Sequence, residues 1–197
     1  MITPCLRAQR KEISQARSYL KSGKDLDKAE KLIMELFSKD SVNMGNPKLH
    51  VLLYQIVQKQ YSIGNEKLYL KEKYDTASLF NLTKRMFALA ETIDTLDAMP
   101  DKKGRVVLDY RKKHASELDG YRPNLFNGGI YFVRKSDYQT AYTFFDAYLD
   151  CGRQPLFEQY DYNNTDSKMP LAAYWAVYCG FKQENPNRTL HLSLIHI

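Results

Sequence analysis

The side chains that could hold a metal ion in this chain are few and scattered. His114 and Glu117 lie three positions apart, a spacing that places both on one face of a helix as half of a metal site. The sequence offers no second such pair, so a solvated helix face is the favoured interpretation. Asp161 and Asp166 provide oxygen ligands, but their segment lacks the glycine and the terminal glutamate of a calcium-binding loop. We therefore predict no bound metal and no cofactor.

Cysteine and glycine patterns offer no catalytic motif either. Cys5, Cys151 and Cys179 are an odd number without a CxxC pair, so neither a zinc site nor a disulfide framework follows. A Cys5–Cys151 or Cys151–Cys179 bridge stays open for an oxidising compartment. Gly128 and Gly129 lie inside a helical pattern and lack the Lys-Ser/Thr pair of a phosphate-binding loop. No GxSxG sequence occurs. The sequence thus predicts a protein without enzymatic activity.

Composition indicates a folded helical or globular protein. Hydrophobic residues make up 44% of the 197 residues and charged residues 26%, with only 9 Gly and 7 Pro. No stretch approaches the ~20 apolar residues that span a bilayer, and the N-terminus opens no secretory segment. We expect a soluble protein of undetermined compartment, cytoplasmic as the sequence stands and exported if an N-terminal leader is missing.

Apolar residues recur at helical spacing along almost the whole chain. Polar connectors, Gly and Pro separate these segments; Ile63-Gly64-Asn65 is predicted to end one helix and Pro123 to kink or restart another. The pattern predicts helices over residues 4–22, 25–38, 47–62, 74–97, 106–120, 123–135, 137–151 and 170–182, with a short helical insertion at 67–73 and a polar loop at 152–168.

The spacing within residues 125–149 is the most specific signal in the chain. A glycine inside a helix costs about 1 kcal/mol relative to alanine, so a glycine pair needs a closely packed neighbouring helix. The order of residues from this pair onward resembles the tetratricopeptide pattern of Leu-Gly-x-x-Tyr followed by Ala-x-x-x-Phe. The residues that carry the resemblance and its packing are Gly128, Gly129, Phe132, Tyr138, Ala141 and Phe145.

The tetratricopeptide resemblance implies an all-α fold of antiparallel helical hairpins stacked as a short right-handed α-solenoid. Ala29 and Ala77 take the small-residue position of Ala141 in two more divergent units. The gaps of 48 and 64 residues between these alanines imply inserted segments. We expect a single domain over 1–190, of bacterial origin, with units at about 4–38, 47–98 and 106–151 and a partial unit at 168–190.

The last residues of the chain differ in character from the rest. Residues 192–197 are similar to translated sequencing-adapter read-through, so we expect 191–197 to be non-native and the natural protein to continue. A short C-terminal strand is the other interpretation. The aromatic face of the helix at 170–182 needs a covering helix, which residues 185–190 begin to supply.

The same resemblance implies a non-enzymatic scaffold that binds a protein or peptide partner. Tetratricopeptide arrays generally receive their partners in a groove lined by the first helix of each hairpin. Polar and aromatic positions of the first helices outside the packing face are the candidates for this groove. They are Tyr54, Gln58, Asn127, Tyr131 and Arg134.

Binding of nucleic acid or another acidic surface is the alternative function. The chain has a formal net charge of +6 and a pI near 9.0, but the excess is spread thinly, which makes nucleic acid the less favoured partner. The residues that could form a basic patch are Lys102, Lys103, Arg105, Arg111, Lys112 and Lys113.

Overall fold

A computed structural model describes residues 4–101 and 103–183, with side chains from Gln9 onward. This part of the chain is helical and contains no strand, as the predicted all-α class requires. Its helices are α1 (Pro4–Ser22), α2 (Leu26–Lys39), α3 (Ser41–Met44), α4 (Pro47–Tyr69), α5 (Thr76–Asp97), α6 (Arg111–Tyr121), α7 (Pro123–Arg134), α8 (Tyr138–Asp150), a 3-10 helix (Pro155–Tyr160), α9 (Tyr162–Thr165) and α10 (Met169–Lys182).

The chain divides into two compact units between Tyr110 and Arg111. Unit 1 comprises residues 1–110 and unit 2 residues 111–197. The excess of positive charge is unequal, because residues 1–110 hold 19 Lys and Arg against 14 Asp and Glu, whereas residues 111–197 hold 10 against 9. The single domain over 1–190 stays a prediction, as do the non-native tail and the covering segment at 185–190, which lie outside the described residues.

Unit 1 is built from two helical hairpins. Helix α1 packs on α2, α4 packs on α5, and α2 joins the hairpins by packing on α4. Local sequence sets the helix starts: Asn46 caps α4 by accepting a hydrogen bond from the Lys48 amide, and Asp75 caps α5 by accepting from the amides of Ala77 and Ser78. The core is fully buried at positions that include Ala16, Ala29, Ile33, Leu36, Ile56, Val57, Met86, Ala90 and Ile93.

Two predictions for unit 1 are wrong. Helix α4 does not end at Gly64 but continues to Tyr69, so it includes residues 67–69 of the helical insertion expected at 67–73. The ring of Tyr74 lies against the Gly64 backbone, so close that a Cβ on Gly64 would be 2.5 Å from Tyr74 Cζ. Gly64 therefore makes room for an aromatic ring inside a helix. Ala77 is only half-buried in the first turn of α5, so it does not occupy the small core position that Ala29 fills.

Unit 2 contains the hairpin that the sequence predicts most specifically. Helix α7 packs on α8, and Asp137 caps α8 by accepting a hydrogen bond from the Thr140 amide. A Cβ on Gly129 would lie 2.5 Å from Phe145 Cζ, which explains the helical glycine. The predicted packing residues Gly128, Gly129, Phe132, Ala141 and Phe145 are all buried, whereas Tyr138 is half-buried beside Tyr178 of α10.

Helix α10 packs against α8 of the α7–α8 hairpin. Its Trp175 stacks on Phe145 with ring centroids 6.3 Å apart. The outer side of α10 leaves three apolar side chains exposed: Leu171, Tyr174 and Phe181 are 48%, 60% and 70% exposed. The expected aromatic face is therefore present, and only part of it is used for packing within the described residues.

The remaining segments of unit 2 differ from their predicted bounds. Helix α6 begins at Arg111 rather than near residue 106. The predicted loop at 152–168 holds the 3-10 helix and α9, and the 3-10 helix packs against α6. Pro123 restarts the chain as the first residue of α7, where its missing amide proton has no cost.

Candidate functional site

The outward face of α7 brings together three of the five residues predicted for a partner-binding groove. Asn127 and Arg134 are exposed and Tyr131 is half-buried. These positions follow an i, i+4, i+7 spacing, opposite the face of α7 that packs on α8. We call Asn127, Tyr131, Arg134 and the adjacent exposed Lys135 the α7 surface. The Lys135 ammonium lies 5.7 Å from the Tyr131 ring centroid, within range of a cation–π contact.

The charge of the α7 surface has one sign. Helix α7 contains no acidic residue, and it ends with Arg134, followed directly by Lys135. The side chains on offer are an amide, a phenol and two cations, which together recognise carboxylates and polar backbone groups. This surface therefore suits an acidic, hydrogen-bonding partner.

The two groove residues predicted in unit 1 do not form a corresponding surface. Tyr54 is 1% exposed and belongs to the core of the α4–α5 hairpin, so its assignment to a groove is wrong. Its aromatic ring fits the apolar stripe of α4 because Leu53, Ile56 and Val57 beside it are also buried. Gln58 is half-buried on the same helix. The predicted groove residues that share one outward face are thus the three on α7.

The predicted basic patch is partly neutralised where it can be described. Lys102 lies outside the described residues. The Asp101 carboxylate accepts hydrogen bonds from the backbone amides of Lys103 and Arg105 and forms an ion pair of 2.8 Å with the Arg105 guanidinium. These contacts hold the pKa of Asp101 below its ordinary value. Arg105 therefore carries its own counter-charge, which weakens its contribution to a nucleic-acid footprint.

The α6 part of the basic patch belongs to unit 2. Lys112 and Lys113 are exposed near the start of α6, and Arg111 is half-buried. A positive charge at the start of a helix meets the positive end of the helix dipole, so these lysines do not stabilise α6. Their exposure makes Lys112 and Lys113 suitable for testing the alternative function.

The candidate metal ligands have other surroundings. His114 is only 3% exposed, on the packed side of α6. Asp161 accepts hydrogen bonds from the Asn164 amide nitrogen, whereas Asp166 points to Arg122. Cys151 and Cys179 are buried free thiols, and burial raises the pKa of Cys179 to about 11. Among the residues that the structure describes, no three His, Cys, Asp or Glu side chains come together as a metal site.

A buried arginine, for which the sequence pattern predicts no role, fixes the start of α7. Arg122 directly precedes α7 and is 5% exposed. Its guanidinium lies between the rings of Tyr148 and Tyr162, 3.8 Å from each centroid. It forms a 2.5 Å ion pair with Asp166 and donates a hydrogen bond to the Tyr148 carbonyl. We call Arg122, Tyr148, Tyr162 and Asp166 the arginine cage.

Hydrogen bonds set the protonation states of the cage. Burial alone would raise the pKa of Asp166, but the hydrogen bonds from the Tyr148 hydroxyl and the Arg122 guanidinium outweigh it and lower this pKa. Burial and the carboxylate that each hydroxyl donates to, Asp166 and Asp119 respectively, raise the pKa of Tyr148 and of Tyr162. The cage therefore holds a charged pair between two neutral phenols.

The arginine cage positions the α7 surface at one end, and the glycine contact positions it in the middle. Arg122 ties the first turn of α7 to the end of α8 through Tyr148 and to the 161–169 segment through Asp166. The contact between Gly129 and Phe145 then brings α7 close to α8. Because two separate contacts fix the helix, the α7 surface is presented on a rigid element.

Comparisons with known proteins found no relative of this chain. Neither a protein-family model, nor a curated protein, nor a solved structure matches the chain. The described helices also include none with the length and hydrophobicity needed to cross a membrane.

Proposed function

We propose that the protein is a non-enzymatic interaction module that binds an acidic peptide segment of a partner protein on the α7 surface. The observation that carries this proposal is the alignment of Asn127, Tyr131 and Arg134 on the outward side of α7, with Lys135 beside them and no acid on the helix. Arginine and tyrosine are enriched among the residues that dominate binding energy at protein interfaces.

The packing of unit 2 supports this function. A binding surface gains affinity when its residues are already held in place, since less conformational entropy is lost on association. The arginine cage and the contact between Gly129 and Phe145 hold α7 in this way. The resemblance of residues 125–149 to a tetratricopeptide hairpin adds that helices of this kind present partner-binding surfaces, and a solenoid of such hairpins is the architecture we propose.

Direct titration with defined peptides tests the proposal. Fluorescein-labelled peptides of twelve residues, one built from Glu and Ala and one from Lys and Ala, are titrated with the full chain and followed by anisotropy. We expect saturable binding of the Glu peptide alone. Arg134→Glu should weaken this binding by at least about tenfold, equivalent to 1.4 kcal/mol.

The matched control is Lys112→Glu, which makes the same change of charge on another exposed cation of unit 2. The proposal expects this variant to bind the Glu peptide like the unmodified chain. Equal weakening by Arg134→Glu and Lys112→Glu would show attraction by net charge and overturn the assignment to α7. Binding of random single-stranded DNA that falls steeply with salt and is lost in Lys112→Glu would favour the alternative function instead.

A further inference from the structure

Unit 1 contains a polar cleft, independent of the α7 surface, for which the proposed function gives no role. It has a volume of about 320 Å³ and lies between α2 and α5, over α4. That volume is at the lower end of ligand pockets and suits one side-chain head group. Its lining residues are Asp27, Glu30, Gln60, Tyr74, Ser78, Asn81, Leu82 and Arg85.

The hydrogen bonds of Gln60 show which chemical groups the cleft can bind. Its amide nitrogen donates hydrogen bonds of 3.0 Å to both Asp27 Oδ1 and Glu30 Oε2. Two carboxylates fix the orientation of this amide, because the reverse orientation would place its oxygen against them. Gln60 Oε1 is consequently left buried without a hydrogen-bond donor. The acceptors that the cleft presents to N–H groups are therefore the carboxylate oxygens of Asp27 and Glu30, and a ligand that carries several N–H groups matches them.

The charge of the cleft selects the sign of the ligand. Two acids and one base among the lining residues leave a formal charge of −1, in a chain whose net charge is +6. Arg85 forms an ion pair with Glu30 Oε1 and is 41% exposed, whereas Glu30 is 21% exposed. One guanidinium is thus already bound at the edge of the cleft, on a side chain that reaches it from solvent. Asp27 has no cation of this kind beside it among the lining residues.

Tyr74 gives the cleft an aromatic wall. Its ring rests on Gly64, where the absence of a side chain lets the ring approach the helix backbone. Burial, with the negative charges of Asp27 and Asp75, raises the pKa of its hydroxyl, so the phenol stays neutral and can donate a hydrogen bond. A planar cation with several N–H donors stacks on such a ring and pairs with carboxylates beside it better than an ammonium does.

We propose that this cleft binds a guanidinium group, donated by an arginine side chain of a polypeptide or by a small guanidine compound. The ligand pairs with Asp27 and Glu30, beside the Gln60 amide, and lies against the Tyr74 ring. Arg85 competes for Glu30 and is displaced toward solvent when the ligand binds.

The test uses two guanidinium probes and two controls. Methylguanidinium and an acetylated, amidated Gly-Arg-Gly peptide are titrated into the full chain and followed by amide NMR shifts, beside the matching Gly-Lys-Gly and Gly-Glu-Gly peptides. Saturable shifts of the Gln60 side-chain amide are expected for both guanidinium probes only. Tighter binding of Gly-Arg-Gly identifies a polypeptide side chain as the source, and equal binding identifies a small guanidine compound.

Two substitutions are expected to change the affinity for methylguanidinium in opposite directions, so the test does not depend on a loss of binding alone. Glu30→Gln should weaken binding of methylguanidinium by about tenfold, whereas Glu35→Gln, the same change elsewhere on α2, should not. Arg85→Gln should tighten it by about threefold, because it releases Glu30 from a partly exposed ion pair. A variant that gains affinity cannot be explained by misfolding.

Three results would overturn the proposal. They are binding of Gly-Glu-Gly that is lost in Arg85→Gln, equal binding of Gly-Lys-Gly and Gly-Arg-Gly, and equal weakening by Glu30→Gln and Glu35→Gln. None of these outcomes concerns the Glu peptide that binds the α7 surface. The two proposals therefore stand or fail separately.

Discussion

Each unit contains an ion pair between an arginine and a carboxylate that are distant in sequence, and the two pairs differ in their exposure to water. In unit 2 the Arg122 and Asp166 side chains are 6% and 16% exposed, and two tyrosine rings cover the guanidinium. In unit 1 the Arg85 and Glu30 side chains are 41% and 21% exposed at the edge of a cleft. The same two functional groups thus form one ion pair that is shielded from solvent and one that is partly exposed to it.

This difference in burial separates a structural pair from an exchangeable one. A buried charge that loses its partner retains the full cost of desolvation, so both members of the cage must stay together. A partly exposed charge that loses its partner is solvated again at little cost. Arg122 therefore holds helix ends in place, whereas Arg85 can release Glu30 to a ligand.

Loss of the buried arginine should have the largest effect on stability. Arg122→Met should lower the free energy of unfolding by about 3–5 kcal/mol, because Asp166, whose side chain is only 16% exposed, is left without its cation. Urea unfolding followed by circular dichroism measures the change. Arg153→Met is the matched control in unit 2, since its pair with Asp150 is 38% and 32% exposed, and it should change the value by less than about 1 kcal/mol.

A double substitution tests whether the loss comes from the uncompensated charge. Arg122→Met combined with Asp166→Asn should recover part of the stability that Arg122→Met loses, because the buried charge is then absent. No recovery would mean that packing between Tyr148 and Tyr162, rather than charge, accounts for the effect of Arg122. The ion pair of the cage and the Arg85–Glu30 pair would then differ in how their side chains are packed and not in the cost of an unpaired charge.

Acid should weaken the cage by a smaller amount than substitution does. Because the folded-state pKa of Asp166 is below the ordinary value of 3.8, its stabilising contribution is complete above pH 3.8 and is lost as pH falls through the folded pKa. The stability gap between the unmodified chain and Arg122→Met should therefore shrink as the pH falls below 3.8. A gap that is constant over this range would contradict a charged Asp166.

The two close glycine contacts give a second contrast between the units. Gly129→Ala should destabilise by about 1–3 kcal/mol, because its Cβ would meet the Phe145 ring, which is 0% exposed and cannot move aside. Gly64→Ala meets the half-buried Tyr74 ring, which can swing toward solvent, and it gains about 1 kcal/mol of helix propensity. Its net effect should stay within about 1 kcal/mol of zero. Thermal unfolding of both variants decides between these outcomes.

Loss of the exposed arginine should have the smallest effect. Arg85→Gln should change the free energy of unfolding by less than about 1 kcal/mol, because Arg85 and Glu30 are both partly solvated. The same urea experiment measures it beside Arg122→Met. A loss above 3 kcal/mol would show that the pair of Arg85 and Glu30 is needed for stability, as the pair in the arginine cage is, and that it is not exchangeable.

The parts of this fold that sequence predicts well depend on neighbours close in the chain. Helix starts follow from Asp75, Asp137 and Pro47, whose caps and fixed dihedral angle act within one turn. The glycine pair at 128–129 predicts a close contact with another helix, because two glycines destabilise a helix unless such packing compensates. The predicted break at Gly64 failed for a related reason, since the ring that fills the space belongs to Tyr74, beyond the end of α4.

The candidate sites were harder to predict because their members are far apart in sequence. Arg122 contacts Tyr148, Tyr162 and Asp166 only in the packed fold, and no local sequence pattern predicts these contacts. Burial of Tyr54 likewise depends on tertiary packing, which a single helix pattern does not determine. Within α7, by contrast, the 3.6-residue period alone was enough to place Asn127, Tyr131 and Arg134 on one side.

The stacking of Trp175 on Phe145 gives unit 2 a fluorescence signal of its own, by which its unfolding can be followed separately. The chain has a single tryptophan, and it lies in unit 2 beside the ring that contacts Gly129. Intrinsic tryptophan emission therefore follows unit 2 alone, whereas far-ultraviolet ellipticity sums the helices of both units. If the two signals change together with urea, the units unfold as one cooperative body; if they separate, each unit has its own stability.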